Sequence, residues 1–90
     1  MKITFDPAKR AATLADRGFD FADAAKVFDG LTYTLEDDRF DYGETRFQTF
    51  GLLEGRLVVV VWTPRGTDCH VISMRKCNDR EKAKVARRLG

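Results

Sequence analysis

Ninety residues, 43% of them hydrophobic and ten of them aromatic, make one domain over 1–90 with a core of its own and leave no room for a second. The opening Met1-Lys2-Ile3-Thr4-Phe5-Asp6 lacks the long apolar stretch of a signal peptide, and the longest apolar run, Leu57 to Trp62, is far too short to cross a bilayer. Composition therefore argues against a membrane protein and for the cytoplasm. Cys69 and Cys77 have neither metal-ligand spacing nor a redox pattern, so they read as buried or half-buried free thiols.

Lys2-Ile3-Thr4-Phe5 alternates polar and apolar and predicts a short first strand. Asp6-Pro7 opens a helix, because Asp caps free amides and proline suits the first helical position. Ala8, Ala11, Ala12, Leu14 and Ala15 give that helix a narrow apolar face, and Gly18 supplies a left-handed stop. Asp20 caps a second helix carrying Phe21, Ala24, Ala25 and Phe28 at helical spacing, ended by Asp29-Gly30.

Leu31 to Leu35 alternates as a strand, and Glu36 to Gly43 reads as a flexible, solvated acidic loop. Thr45 to Leu53 is strand-like, Glu54-Gly55 is a tight turn, and Leu57 to Trp62 lacks polar alternation, as a central strand covered on both faces does. Pro64-Arg65-Gly66 predicts a further turn and Cys69 to Met74 a last strand. Asn78 with Glu81 is a capping-box pattern, followed by Ala83, Val85, Ala86 and Leu89 as the apolar side of a final helix. The expected class is α+β in the order β-α-α-β-β-β-β-α. An antiparallel sheet would carry the two early helices on one face in a two-layer domain, with a basic C-terminal helix.

Charge is segregated along this chain. Residues 29–44 hold one base and six acids, whereas Arg75 to the C-terminus holds seven bases and two acids, within a total of only +2. Basic charge where a strand feeds a helix is a natural place to hold phosphate, and the excess on the last helix, Arg80 included, suits contact with nucleic acid. Phe residues sit at core periodicities and give no base-stacking signature. The acidic loop lacks the ligand order of a calcium loop. His70 is the only histidine, which excludes a two-histidine acid–base pair; it is either structural or a proton donor or acceptor beside the basic cluster.

Arg75 and Lys76 are adjacent on a strand and point to opposite faces, so only one can serve a given site. Arg75 is expected to share its face with Ser73 and Val71, and Arg46 to lie across the sheet from it. Two guanidiniums converging on a phosphodiester would bind it bidentately. The competing expectation is a salt bridge of Arg46 or Arg75 with Glu44, Glu36 or Asp68.

The chain also resembles the BrnT toxins of bacterial type II toxin–antitoxin systems over essentially its full length. The resemblance rests on Phe5-Asp6-Pro7-Ala8-Lys9, Gly18-Phe19-Asp20-Phe21, Ala24-Ala25-Lys26-Val27-Phe28-Asp29 and Tyr42-Gly43-Glu44-Thr45-Arg46-Phe47. It continues through Gly55-Arg56-Leu57-Val58-Val59-Val60, Ile72-Ser73-Met74-Arg75-Lys76 and Asp79-Arg80-Glu81. It implies a fold similar to RelE-type ribonucleases and a metal-independent endoribonuclease without cofactors, which cleaves RNA to inhibit translation and growth. The implied partner is a BrnA-like antitoxin with a ribbon-helix-helix DNA-binding domain, in a hetero-oligomer for which 2:2 is one arrangement; operator DNA is reached only through the antitoxin. Carried over residue by residue, Arg46 and Arg75 are the expected catalytic ligands of the phosphate. Lys9, Lys76, Glu44, His70 and Arg80 are expected in substrate binding, with Glu44 orienting Arg46. His70 stands where family members commonly have arginine. The rival expectation is a non-catalytic interaction module that needs a partner protein to complete its surface.

Overall fold

The computed structural model describes residues 2–89; Met1 and Gly90, the ends of the expected domain, lie outside them. The chain runs β1 (Ile3–Phe5), α1 (Pro7–Arg17), a 3-10 turn (Phe21–Asp23), α2 (Ala24–Asp29), β2 (Thr32–Glu36), β3 (Phe47–Leu53), β4 (Arg56–Arg65), β5 (Asp68–Lys76) and α3 (Asp79–Leu89). The strands form one sheet in the order β1-β5-β4-β3-β2. β2 to β5 are an antiparallel meander, as their short connections require. β1 departs from the expected antiparallel sheet. It pairs parallel with β5, Thr4 opposite His70, so the sheet is mixed. The intervening helices and strands give β1 the long connection a parallel neighbour needs.

Local chemistry accounts for the boundaries. The Asp6 carboxylate accepts from the Ala8 amide at 2.9 Å and Pro7 starts α1, while Gly18 at φ 75° ends it. Glu54 and Gly55, at φ 52° and 80°, form the two-residue turn whose twist suits the β3–β4 hairpin. The next turn falls one step later than expected. β4 continues through Pro64 and Arg65, and Arg65 pairs with Asp68. Pro64 is tolerated because β3 stops at Phe47, opposite Trp62, leaving β4 a single neighbour there.

The sheet is covered on both faces, so the two-layer expectation gives way to three layers. Val58, Val60, Val71 and Met74 pack on one face with Phe19, Phe21, Ala24 and Val27. On the other face Phe50, Val59 and Cys77 pack with Val85 of α3. The apolar stripe predicted for α1 is not core. All of its residues are described and none is buried; Leu14 is 46% exposed. Polar contacts hold the helix instead: Arg10 grips Asp20 at 2.7 and 3.0 Å, and Arg17 donates to the Met74 carbonyl at 3.2 Å, on the edge of β5 that β1 is too short to reach. Of the stripe expected on α3, only Val85 is buried and Leu89 half-buried; Ala83 and Ala86 are exposed.

One irregularity decides where the candidate site side chains point. Ser73 pairs with Val61 and Val71 with Trp62, so Ile72 is an extra residue that bulges out of the β5 ladder. Alternation reverses there. His70, Ser73 and Arg75 all face the α3 side, while Val71 and Met74 face the core beneath α2. The expected sharing of a face by Arg75 and Val71 is therefore corrected: an odd-numbered run keeps one face only in an unbulged strand.

Candidate active site

At the Arg65 end of β4, beyond the reach of α3, a pocket of about 340 Å³ opens on the sheet. Its lining includes Asp6, Lys9, Glu44, Arg46, Arg65 and His70. Lys9 comes from the first turn of α1. Arg46 comes from the residue before β3, Arg65 from the end of β4, and His70 from β5. Three permanent cations face two acids, so the pocket is positive by one charge with His70 neutral, which matches one phosphodiester.

Arg46 and His70 are each held by neighbours. Arg46 donates through Nε to Glu44 at 3.1 Å, and its guanidinium lies 4.1 Å from the centre of the Tyr42 ring. This is the Arg46–Glu44 salt bridge that the competing expectation named. His70 Nδ1 is 2.9 Å from the Thr4 hydroxyl on the parallel strand β1. With Thr4 accepting from Nδ1–H, Nε2 is left as an unprotonated acceptor. Burial first, and then the positive charges of Arg65 and Lys9, lower the His70 pKa from its ordinary value, while Glu44 and Asp6 oppose the shift. The shift favours the neutral ring.

The loop between β2 and β3 is largely exposed, as its composition predicts, but it carries one buried anchor. Asp37 is buried and accepts from Arg39 at 2.8 and 2.9 Å and from the Tyr42 hydroxyl at 3.2 Å. The Arg39 guanidinium holds the Asp37 carboxyl below the usual range, overriding the opposing effect of burial. A buried carboxylate with satisfied bonds organises the loop and sets Tyr42 under Arg46.

Of the predicted site residues, the pocket gathers Arg46, Lys9, Glu44 and His70. Arg75 is not among them. It lies in the Phe50–Val59 row of the same face, while Arg46 flanks the Thr63–His70 row, four residues along β4 or about 13 Å away at a strand rise of about 3.3 Å. Arg75 makes a bidentate pair with Glu81 at 2.7 and 2.9 Å, a partner the sequence assigned only to helix capping. Glu81 does both: it accepts from the Asn78 amide at 3.0 Å, and the Asn78 side chain accepts from the Glu81 amide at 2.8 Å. Lys76 lies at the other end of β4, in a groove of about 570 Å³ whose lining includes Leu52, Leu57, Lys82 and Leu89. Arg80 is exposed on the first turn of α3. Arg65 was missed by sequence reasoning because its dipeptide reads as turn chemistry; strand alternation carried two residues beyond Thr63 is the signal that would have found it.

Residues 5–81 match the family described as ribonuclease toxin, BrnT, of type II toxin–antitoxin system. The chain belongs to this BrnT family. No curated protein matches it. Membership makes the BrnT chain a toxin of a type II system, in a family of ribonucleases whose members are paired with antitoxins. Among the described residues of this BrnT protein no helix is long and apolar enough to cross a membrane. No cluster of His, Cys, Asp and Glu among them could hold a metal ion.

Proposed function

We propose that the protein is a metal-independent endoribonuclease whose active site is the Lys9–Arg46–Arg65–His70 pocket. The observation that carries this reading is the convergence of four basic side chains, from four separate elements, on one cavity. Arg46 and Arg65 hold the non-bridging oxygens of a phosphodiester and meet the charge that builds on them in the transition state. His70, neutral and fixed by Thr4, takes the proton of the 2′-hydroxyl through Nε2 as that oxygen bonds to phosphorus. The bond from phosphorus to the 5′ oxygen breaks, and the departing oxygen collects a proton from the Lys9 ammonium. The products are a 2′,3′-cyclic phosphate and a 5′-hydroxyl. Solvent then removes the proton from His70 and restores that of Lys9. These cations supply the charge neutralisation, so the reaction needs no metal.

Arg75 is assigned to holding α3 on the sheet through Glu81. Lys76, Arg80 and the other cations of α3 steer the RNA backbone by long-range attraction, which salt screens. The proposed partner is a BrnA-like antitoxin with a ribbon-helix-helix domain, through which alone the complex reaches operator DNA, in the cytoplasm.

The test is cleavage of a single-stranded RNA oligonucleotide in the presence of a chelator. Wild-type protein is expected to leave cyclic phosphate and 5′-hydroxyl ends. Arg46→Ala and Arg65→Ala are each expected to lower kcat/KM by about 10²-fold or more, and Arg75→Ala to alter it little at temperatures where the variant is folded. Intact RNA with folded wild-type protein would leave the interaction module as the reading. Loss of activity on Arg75→Ala in a folded protein would return Arg75 to the catalytic site.

A further inference from the structure

Phe40 is 69% exposed, yet its ring has a partner. Its ring meets Tyr42 edge-on, with centroids 5.9 Å apart and planes at 75°. Tyr42 is anchored by its hydroxyl to buried Asp37 and carries the Arg46 guanidinium 4.1 Å from its own ring centre. A bare aromatic ring is therefore fixed two contacts from the arginine that faces the phosphate pocket, and the two steps place it at most about 10 Å from that guanidinium.

We propose that Phe40 is a stacking platform for a nucleobase next to the phosphate held by Arg46, with Tyr42 and Asp37 as the residues that position it. The inference rests on the ribonuclease reading of the pocket and deepens it. Unpaired RNA bases are splayed out and stacked on aromatic rings, a contact any base can make because each has a π face. Charge sets the orientation. Asp38 and Asp41 are exposed beside Phe40 and repel the phosphates, whereas Lys9, Arg46 and Arg65 attract them. A strand crossing this boundary lays its backbone in the basic pocket and turns its base toward the ring. The acidic loop and the basic pocket thus act as two halves of one nucleotide site.

The experiment uses the full chain with an uncleavable 2′-O-methyl RNA oligonucleotide carrying 2-aminopurine, and in parallel the kinetics of the cleavable version. Phe40→Ala and Phe40→Leu are expected to weaken binding at least about fivefold and to raise KM with kcat nearly unchanged, while Phe40→Trp restores both. Quenching of 2-aminopurine should be present in wild type and lost in Phe40→Leu, which keeps an apolar side chain and loses only the ring. Because Phe40 is exposed, these variants are expected to keep wild-type unfolding transitions. Binding and quenching unchanged in Ala and Leu overturn the proposal and leave the ring as a protein contact. The binding arm reads the stacking whether or not the RNA is cut, and failure of wild type to cut the cleavable strand tells against the ribonuclease reading instead.

Discussion

Glu81 joins two functions that can be separated by substitution. Its carboxylate closes the capping box of α3 and forms a bidentate pair with Arg75, the two side chains being 19% and 33% exposed. A charge-assisted pair with this degree of burial contributes about 1.5–3 kcal/mol, and a helix cap about 1 kcal/mol. Glu81→Ala removes both and leaves the Arg75 guanidinium half-buried without its partner, so a loss of about 2–4 kcal/mol is expected. At roughly 4–8 °C per kcal/mol for a domain of this size, Tm should fall by about 10–30 °C. Glu81→Gln keeps an acceptor for the Asn78 amide and loses only the charge, so it should cost about half as much. The pH dependence follows from the Arg75 hydrogen bonds, which hold the folded Glu81 carboxyl below its usual range. The pair's contribution is complete above the unfolded carboxyl value and is lost as pH falls through the lower folded one. The gap between wild type and Glu81→Gln should therefore be full at pH 7 and close in acid. Urea unfolding followed by Trp62 fluorescence, repeated with Arg75→Ala and the double variant, measures each quantity. A Glu81→Ala variant within about 0.5 kcal/mol of wild type, or strict additivity with Arg75→Ala, would refute this account.

Three further outcomes are expected. Gly51→Ala should destabilise by about 1–3 kcal/mol in the same unfolding assay, because an added Cβ would stand 2.8 Å from the Val27 side chain and 3.3 Å from the Leu31 carbonyl. Cys69 and Cys77 are buried and free, with burial the main cause pushing each thiol up to about 11, so iodoacetamide at pH 8 should label neither until denaturant is added; intact mass reports the count. If His70 is the base, kcat/KM should be flat near neutrality and fall only below the ordinary histidine value, since the folded pKa is lowered; Thr4→Val, which removes the hydroxyl beside Nδ1, should move that limb. The same shift makes the unfolded chain the better proton acceptor, so the stability His70 contributes is present above its unfolded pKa and is lost as pH falls below it.

Much of the fold was legible because local chemistry declares itself in short words. Asp6-Pro7 with Gly18, Glu54-Gly55, and Asn78 with Glu81 each specify a cap or turn through backbone groups only a few residues away. The alternation of β2 and the unbroken apolar run of β4 gave the strands for the same reason. The failures were non-local. α1 carries an apolar stripe that stays exposed, since Arg10, Arg17 and their distant partners hold it. The acidic loop is solvated as expected, but nothing in its composition shows that Asp37 is buried and bonded to Arg39 and Tyr42. Phe40, grouped with the Phe residues at core periodicities, stands in the open.

The sequence by itself determined the order of elements, most of their caps and turns, the segregation of acid from base, and, through motifs in fixed order, the BrnT family. Only the tertiary structure decided which cations meet. The extra residue at Ile72 reverses the alternation of β5, and the parallel seat of β1 sets Thr4 against His70. Arg65 and His70, on the β4–β5 hairpin, meet Arg46 and Lys9 because the segments that carry them come to one corner of the sheet, while Glu81 holds Arg75 elsewhere. Charge composition is a property of residues counted one at a time; a binding site is a property of the register and bulges that bring them within a few ångströms of each other.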